Sequence, residues 1–149
     1  MSFKQKVFGA CFNLLEEKIN SLSTILSELE EGTQNDSKSS AGDKHETARA
    51  MMQLEQEKIS KQLKDLLEQK SQLKKIGVPV AVAQIKTGSL AQTNKGFLLL
   101  SISLGKILVD EISVMAISSE SPIGIKLCGL KIGDKTEING TAYLVEGIE

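Results

Sequence analysis

The chain has 149 residues, 40% of them hydrophobic, which is enough for one or two compact domains and excludes disorder throughout. Eighteen basic and nineteen acidic residues give a net charge of -1, so the chain lacks the positive charge of a protein that binds nucleic acid unaided. Its aromatic residues, four Phe and one Tyr, have no basic stretch between them, which argues against a base-stacking surface. Any contact with nucleic acid would therefore come through a partner.

The number of cysteines and the length of the apolar runs indicate in which cellular compartment the protein is expected. Cys11 and Cys128 each lie in an apolar stretch, and one pair in a chain of this size is more typical of two buried thiols than of a disulfide framework. No apolar run approaches the roughly 20 residues of a membrane span, and no signal peptide is recognisable. We therefore expect a soluble, cytoplasmic protein that is monomeric and makes no membrane contact.

A first long helix is predicted from apolar residues at alternating spacings of four and three. These residues form a coiled-coil seam of about three heptads; they are Phe8, Phe12, Leu15, Ile19, Leu22, Leu26 and Leu29. Gly32 suits the left-handed residue that follows a helix end, so the helix is predicted to stop there. Residues 33–42, rich in Ser, Asn, Asp and Gly, are predicted to form a turn.

A second helix is predicted from Asp43 to about residue 75. Its apolar seam repeats every seven residues, at Met52, Ile59, Leu66 and Leu73. Polar residues occupy the core-like positions between them; these are Glu55, Gln56, Gln62, Gln69 and Lys70. Two long helices joined by a short loop run antiparallel, and about 28 helical residues span roughly 40 Å. The turn is therefore predicted to form the tip of a rigid hairpin.

The apolar period changes to two after Pro79, which disfavours helical geometry at Val78. Strands are predicted at 78–82, 98–104, 112–116 and 142–148, with tight reversals at Gly105 and at Asn139-Gly140. Ser121 as N-cap and Pro122 as first helical residue predict one short helix.

These elements define the predicted fold class, which is α+β. An antiparallel α-helical coiled-coil hairpin covers residues 1–76, with an acidic tip at about 33–47. A small, mostly antiparallel β domain with one short helix covers residues 77–149.

Two short patterns carry a family resemblance. The first is Gly42-Asp43-Lys44-His45-Glu46-Thr47-Ala48 in the predicted tip; the second is Ser121-Pro122-Ile123-Gly124, followed by Leu127, Gly129 and Gly133-Asp134. Together with the closing stretch 140–148 they resemble the bacterial Gre family of transcript cleavage factors. That family has Gly-Asp, two variable residues, Glu, Asn and Ala at its tip, and a Ser-Pro-Leu/Ile-Gly signature further on. The resemblance spans essentially the whole chain and implies an FKBP-like fold for residues 77–149.

The resemblance implies a transcription elongation factor that binds RNA polymerase at its secondary channel, with Ser121, Pro122, Ile123 and Gly124 in the partner-binding region. Asp43 and Glu46 would help to hold a Mg²⁺ jointly with the polymerase, which then cleaves the backtracked 3′ end of its nascent RNA. The chain alone would be no enzyme and would not bind Mg²⁺ stably.

The residues themselves are compatible with these roles. Mg²⁺ prefers hard, anionic oxygen ligands and usually takes only one or two carboxylates from any protein. Residues three apart on a helix share a face, so Asp43 and Glu46 can both point outward. Lys44 and Arg49 either contact RNA phosphates or are simply solvated, and His45 is more typical of a solvated residue than of a metal ligand.

The same residues are also compatible with other roles and other functions. Asp43 and Glu46 also fit a capping box, which would stabilise the helix start without chemistry. Thr47 stands where the family usually has Asn, and Arg49 lies where many members have other residues, so a polymerase regulator that binds in the same way without cleavage is the main alternative. A prolyl isomerase is suggested only by the FKBP-like fold, and fold does not imply function. A coiled-coil adaptor without an enzyme partner is the simplest remaining possibility.

Overall fold

A computed structural model describes residues 1–36 and 43–149. Two long helices precede a six-stranded, mostly antiparallel sheet that carries one short helix, so the predicted α+β fold class is confirmed. In chain order the elements are α1 (Phe3–Asp36), α2 (Asp43–Ile76), β1 (Leu90–Thr93), β2 (Gly96–Ser101), β3 (Gly105–Val109), β4 (Ile112–Ser118), α3 (Pro122–Leu127), β5 (Lys135–Ile138) and β6 (Thr141–Ile148). Within the described ranges, none of these helices is long and apolar enough to cross a membrane.

The chain divides into two compact units. One consists of Met1–Asn13 together with Ser71–Glu149, and we call it the sheet unit. The other is Leu14–Lys70, which we call the hairpin unit.

The helices of the hairpin unit are antiparallel. Near the start of this unit Glu16 on α1 forms an ion pair with Lys70 on α2, whereas further along α1 Gly32 lies against Met52. The seam between them is only partly apolar. Leu15 and Ile59 are buried, and Gln56 and Gln69 are half-buried at two of the core-like positions that the heptad pattern gave to polar residues.

The predicted end of the first helix at Gly32 is wrong. α1 continues through Gly32 to Asp36, so residues 33–36 of the predicted turn are helical, and 37–42 lie outside the described residues. A Cβ at position 32 would lie 2.7 Å from Cε of Met52. Gly32 therefore lies inside the helix beside Met52 and does not end the helix. The predicted start of α2 at Asp43 is confirmed.

The six strands lie in the order β3-β4-β2-β1-β6-β5, and only β2 and β4 pair in parallel. Successive residues of a strand point to opposite faces. On one face the core is a cluster that includes α3; its buried members are Ile85, Ala91, Leu98, Leu100, Leu127 and Val145. On the opposite face Leu99, Val114 and Ala116 are also buried.

The first turns of α1 belong to the sheet unit and contact its strands. The rings of Phe3 and Phe97 are 5.3 Å apart between centroids, and Lys6 Nζ lies 2.8 Å from Oδ2 of Asp110. Asp110 and Glu111 form the turn between β3 and β4, which sequence analysis did not predict, and both have positive φ.

Other predictions for the sheet unit have mixed outcomes. The hairpin at Asn139-Gly140 is confirmed, with φ values of 51° and 81° that suit a type I′ turn, and the short helix after Ser121 is confirmed. The strand predicted at 78–82 is wrong, since these residues have no strand pairing. The prediction of two buried thiols is half wrong, because Cys11 is buried but Cys128, which follows α3, is exposed.

Candidate functional site at the start of α2

The first turn of α2 carries the two carboxylates that the tip pattern singled out. Asp43 is its first residue and Glu46, three residues further on, is exposed. Backbone N–H groups in a first helical turn have no intrahelical partner, and the positive end of the helix dipole favours carboxylates there. The side chains of Asp43, Lys44 and His45, and with them the capping-box bond of Asp43, lie outside the described residues.

Arg49, one turn beyond Glu46, is more buried than an ordinary solvated helix residue. Its side chain is half-buried, and its Nε is buried with no hydrogen-bond partner in the described part of the chain. Because residues three apart share a helix face, Glu46 and the guanidinium of Arg49 belong to the same stretch of surface. This stretch therefore contains an exposed carboxylate and a half-buried guanidinium. Thr47 and Ala48 between them are exposed.

The Ser-Pro-Ile-Gly motif forms the N-cap and the first residues of α3. Oγ of Ser121 accepts a hydrogen bond from the backbone N–H of Gly124 at 3.1 Å and donates one to the carbonyl of Ser118 at 2.6 Å. A Cβ on Gly124 would lie 2.2 Å from that same carbonyl oxygen. Ile123 packs against the core cluster, whereas Pro122 is exposed. Apart from Pro122, whose ring suits the first helical position, each residue thus has a contact that explains it.

The members of each group of candidate residues lie together in the structure, but the two groups belong to different units. Asp43, Glu46 and Arg49 belong to the hairpin unit, and Ser121 to Gly124 belong to the sheet unit. Among the described residues, no three His, Cys, Asp or Glu side chains are grouped as a metal site. In comparisons with known proteins, no family model, no curated protein and no solved structure matches the chain.

Sequence analysis missed Lys4, a buried lysine in the sheet unit. Its Nζ donates a hydrogen bond of 2.6 Å to the carbonyl of Pro79. Burial lowers the pKa of Lys4, Glu149 opposes that shift, and Lys86 adds to it. A signal was present, because Lys4 stands four residues before the buried Phe8 and so continues the α1 seam.

Proposed function

We propose that the protein is a transcript cleavage factor of the Gre type, which binds RNA polymerase and stimulates the cleavage of backtracked nascent RNA by the polymerase itself. The observation that carries the proposal is the first turn of α2, where Asp43 and the exposed Glu46 are three residues apart at the start of a 34-residue helix. A helix of that length extends for about 50 Å. Carboxylates at the start of such a helix suit delivery into a deep site of another protein.

The chemistry of the two side chains fits a shared Mg²⁺. Asp43 and Glu46 supply hard anionic oxygens, and Mg²⁺ takes few such ligands from one protein while keeping water and substrate oxygens for the rest. When bound, the ion would supply Lewis-acid stabilisation of the phosphodiester and activation of a water. The role of this chain is to hold two negative charges where the helix dipole also favours an anion.

Arg49 has a separate role in the proposal. It lies one turn beyond Glu46 on α2, and a guanidinium that is always charged is a preferred ligand for phosphate oxygens. We therefore assign it to positioning of the RNA backbone beside Glu46. Lys44 would add a second positive charge at the same helix start.

The sheet unit supplies the docking surface in this proposal. The turn from Ser118 to Gly124 is fixed by the two hydrogen bonds of Ser121 and by the close approach at Gly124. Pro122, and Ile125 in the same short helix, are exposed apolar residues on this rigid turn. A fixed turn with apolar side chains loses little conformational freedom on binding, which favours its use as a contact with polymerase.

The test is a cleavage assay with a backtracked RNA polymerase elongation complex and Mg²⁺. We expect the wild-type chain to accelerate release of the 3′ RNA fragment, and Asp43→Asn or Glu46→Gln to abolish the acceleration while binding to polymerase is retained. Glu57→Gln and Asp65→Asn are matched controls, because both side chains are exposed on α2 beyond its first turn. Equal rates with and without the wild-type chain would refute the cleavage function.

A second candidate is a regulator that binds polymerase in the same way but slows nucleotide addition without cleavage. Thr47 and Arg49 favour it, because they replace residues that the resembled family usually places after the Glu. Slower RNA extension with no fragment release would establish this candidate instead. Arg49→Ala distinguishes the two further, since it should reduce cleavage if Arg49 positions RNA.

A further inference from the structure

Residues 78–82, which we call the valine segment, have the sequence pattern of a strand but no strand partner. Val78, Val80 and Val82 are 45%, 83% and 41% exposed. In the described part of the chain, the one hydrogen bond that the backbone of 78–84 makes is the bond from Lys4 Nζ to the carbonyl of Pro79. The N–H and C=O groups of Val80, Ala81 and Val82 are therefore available for pairing.

The valine segment is anchored at both ends. A Cβ on Gly88 would lie 2.5 Å from Cγ of Pro79, so the proline ring is packed against the backbone at Gly88. At the other end Ile85 is buried, donates to the carbonyl of Leu130 at 2.8 Å and accepts from Gly129 N at 2.7 Å. The valine segment therefore has little conformational freedom to lose when a ligand binds, which favours association.

Exposed valines in a segment with unpaired backbone groups are a template for strand addition. Pro79 cannot donate a backbone hydrogen bond, and its carbonyl is already occupied by Lys4. An added strand would therefore pair with Val80 to Val82. Because side chains alternate along a strand, it would place every second side chain beside the valines and the others beside the surrounding charges.

The charges near the valine segment are predominantly positive. Residues 71–109 include five lysines and no acidic residue, and Lys74, Lys75 and Lys86 are exposed close to the segment in sequence. Glu149 is the acidic residue that lines the same pocket as Val78 to Ala81, and its charge is opposed there by the buried Lys4. A bound segment thus meets an excess of ammonium groups.

We propose that the valine segment binds an extended, acidic segment of a partner protein, which adds as a β-strand with alternating apolar and carboxylate side chains. Backbone pairing with Val80 to Val82 gives affinity, and the lysines select carboxylates. RNA is the less favoured ligand, since the exposed side chains are aliphatic and offer no aromatic ring for base stacking. This surface is independent of the carboxylates at the start of α2.

The experiment uses the full chain and a fluorescein-labelled peptide of alternating Glu and Val, followed by fluorescence anisotropy. We expect binding that weakens with added salt and is lost when Glu is replaced by Lys in the peptide. Val80→Asp should weaken binding by roughly tenfold or more, a change of about 1.4 kcal/mol. Lys75→Gln and Lys86→Gln should each weaken it by a smaller factor and reduce its salt dependence. Ile132→Asp, at a 64% exposed site elsewhere in the sheet unit, is the matched control and should bind normally.

Several outcomes would overturn the proposal. One is no binding of the acidic peptide, or equal binding of the Lys peptide. Another is tight binding of a single-stranded oligouridylate of about 20 nucleotides that Val80→Asp removes, which would make the surface a nucleic-acid site. A third is self-association that Val80→Asp abolishes, because the occupant would then be a second copy of the chain. Fragment release in the cleavage assay should be unchanged in Val80→Asp, so failure here and failure of the cleavage function are distinguishable.

Discussion

The hairpin unit and the sheet unit differ in how their interiors are filled. Among the described residues of the hairpin unit only Leu15 and Ile59 are buried, and the seam between its helices also contains Gln56, Gln69 and the ion pair of Glu16 with Lys70. In the sheet unit each face of the sheet carries several buried apolar residues, with Leu98, Leu100 and Val145 on one face and Leu99, Val114 and Ala116 on the other. Burial of apolar area is the main stabilising term in folding, so the sheet unit should be the more stable of the two.

The most closely approached glycine of each unit also differs in what lies against it. Gly124 in the sheet unit faces a backbone carbonyl at a distance that leaves no room for a Cβ, whereas Gly32 in the hairpin unit faces the terminal methyl of Met52. Backbone atoms cannot make room for an added Cβ unless the strand moves, but a methionine side chain can change rotamer at low cost. The sheet unit should therefore have little tolerance for added volume, and the hairpin unit should have more.

The largest expected effect is that of Gly124→Ala. The new Cβ would lie 2.2 Å from the carbonyl oxygen of Ser118, and we expect a loss of roughly 3 kcal/mol in the free energy of unfolding. Urea denaturation followed by circular dichroism measures it. Gly9→Ala is the matched control, because apart from its chain neighbours and the backbone of its own helix no atom lies within 4 Å of a Cβ there, and it should gain up to about 1 kcal/mol from helix propensity. A loss below about 1 kcal/mol for Gly124→Ala would mean that the sheet unit adapts as readily as the hairpin unit.

The next largest effect tests burial in the sheet unit through Cys11. Burial raises the pKa of the Cys11 thiol from 9.0 to about 11. The thiol of the unfolded chain ionises first, so the stability it contributes is complete below pH 9.0 and is lost as pH rises to about 11, a loss of about 2 to 3 kcal/mol.

Urea denaturation between pH 8 and pH 11 should therefore give a steeper fall in stability for the wild type than for Cys11→Ala. The lowered pKa of Lys4 has the opposite sign, because the unfolded chain then holds the extra proton and stability rises with pH. Both proteins retain Lys4, so their difference isolates the thiol. Cys128→Ala should follow the wild type, since Cys128 is exposed; parallel curves for wild type and Cys11→Ala would contradict deep burial of Cys11.

The elements of this fold were largely predictable because their signals are local. The start of α2 at Asp43, the hairpin at Asn139-Gly140 and the N-cap at Ser121 each depend on a few neighbouring residues. Gly32 was misinterpreted because a glycine inside a helix, here beside Met52 some twenty positions away, has the same sequence signal as one that ends a helix.

The sheet unit contains the other failures, and they share a cause. The segment 78–82 has strand periodicity, but pairing needs a neighbouring strand that its pattern does not specify. Cys128 was predicted to be buried from its apolar neighbours, yet it lies after the last turn of α3 where the chain is exposed. For the candidate site, sequence indicated the carboxylates of Asp43 and Glu46. It did not indicate that the Nε of Arg49 is buried, because burial depends on what lies opposite.

A smaller effect of opposite sign is expected for Gly32→Ala. The added Cβ would lie 2.7 Å from Cε of Met52, and that methyl is the far end of a flexible side chain. Alanine is favoured over glycine within a helix by about 1 kcal/mol. We therefore expect unchanged or slightly higher stability, by up to about 1 kcal/mol, in thermal unfolding followed at 222 nm. A loss comparable to that of Gly124→Ala would show that the hairpin seam is packed as rigidly as the sheet.

The smallest effects should come from the ion pairs, one in each unit. Lys6 and Asp110 are joined at 2.8 Å in the sheet unit, and Glu16 pairs with Lys70 in the hairpin unit. All four side chains are partly exposed, so water and salt screen the attraction and we expect coupling energies of about 0.5 kcal/mol or less in double-mutant cycles. The cycle for the hairpin combines Glu16→Gln with Lys70→Met, and that for the sheet unit combines Lys6→Met with Asp110→Asn. A coupling of 2 kcal/mol or more for Glu16 and Lys70 alone would reverse the comparison, since charge pairing rather than Leu15 and Ile59 would then hold the two helices together.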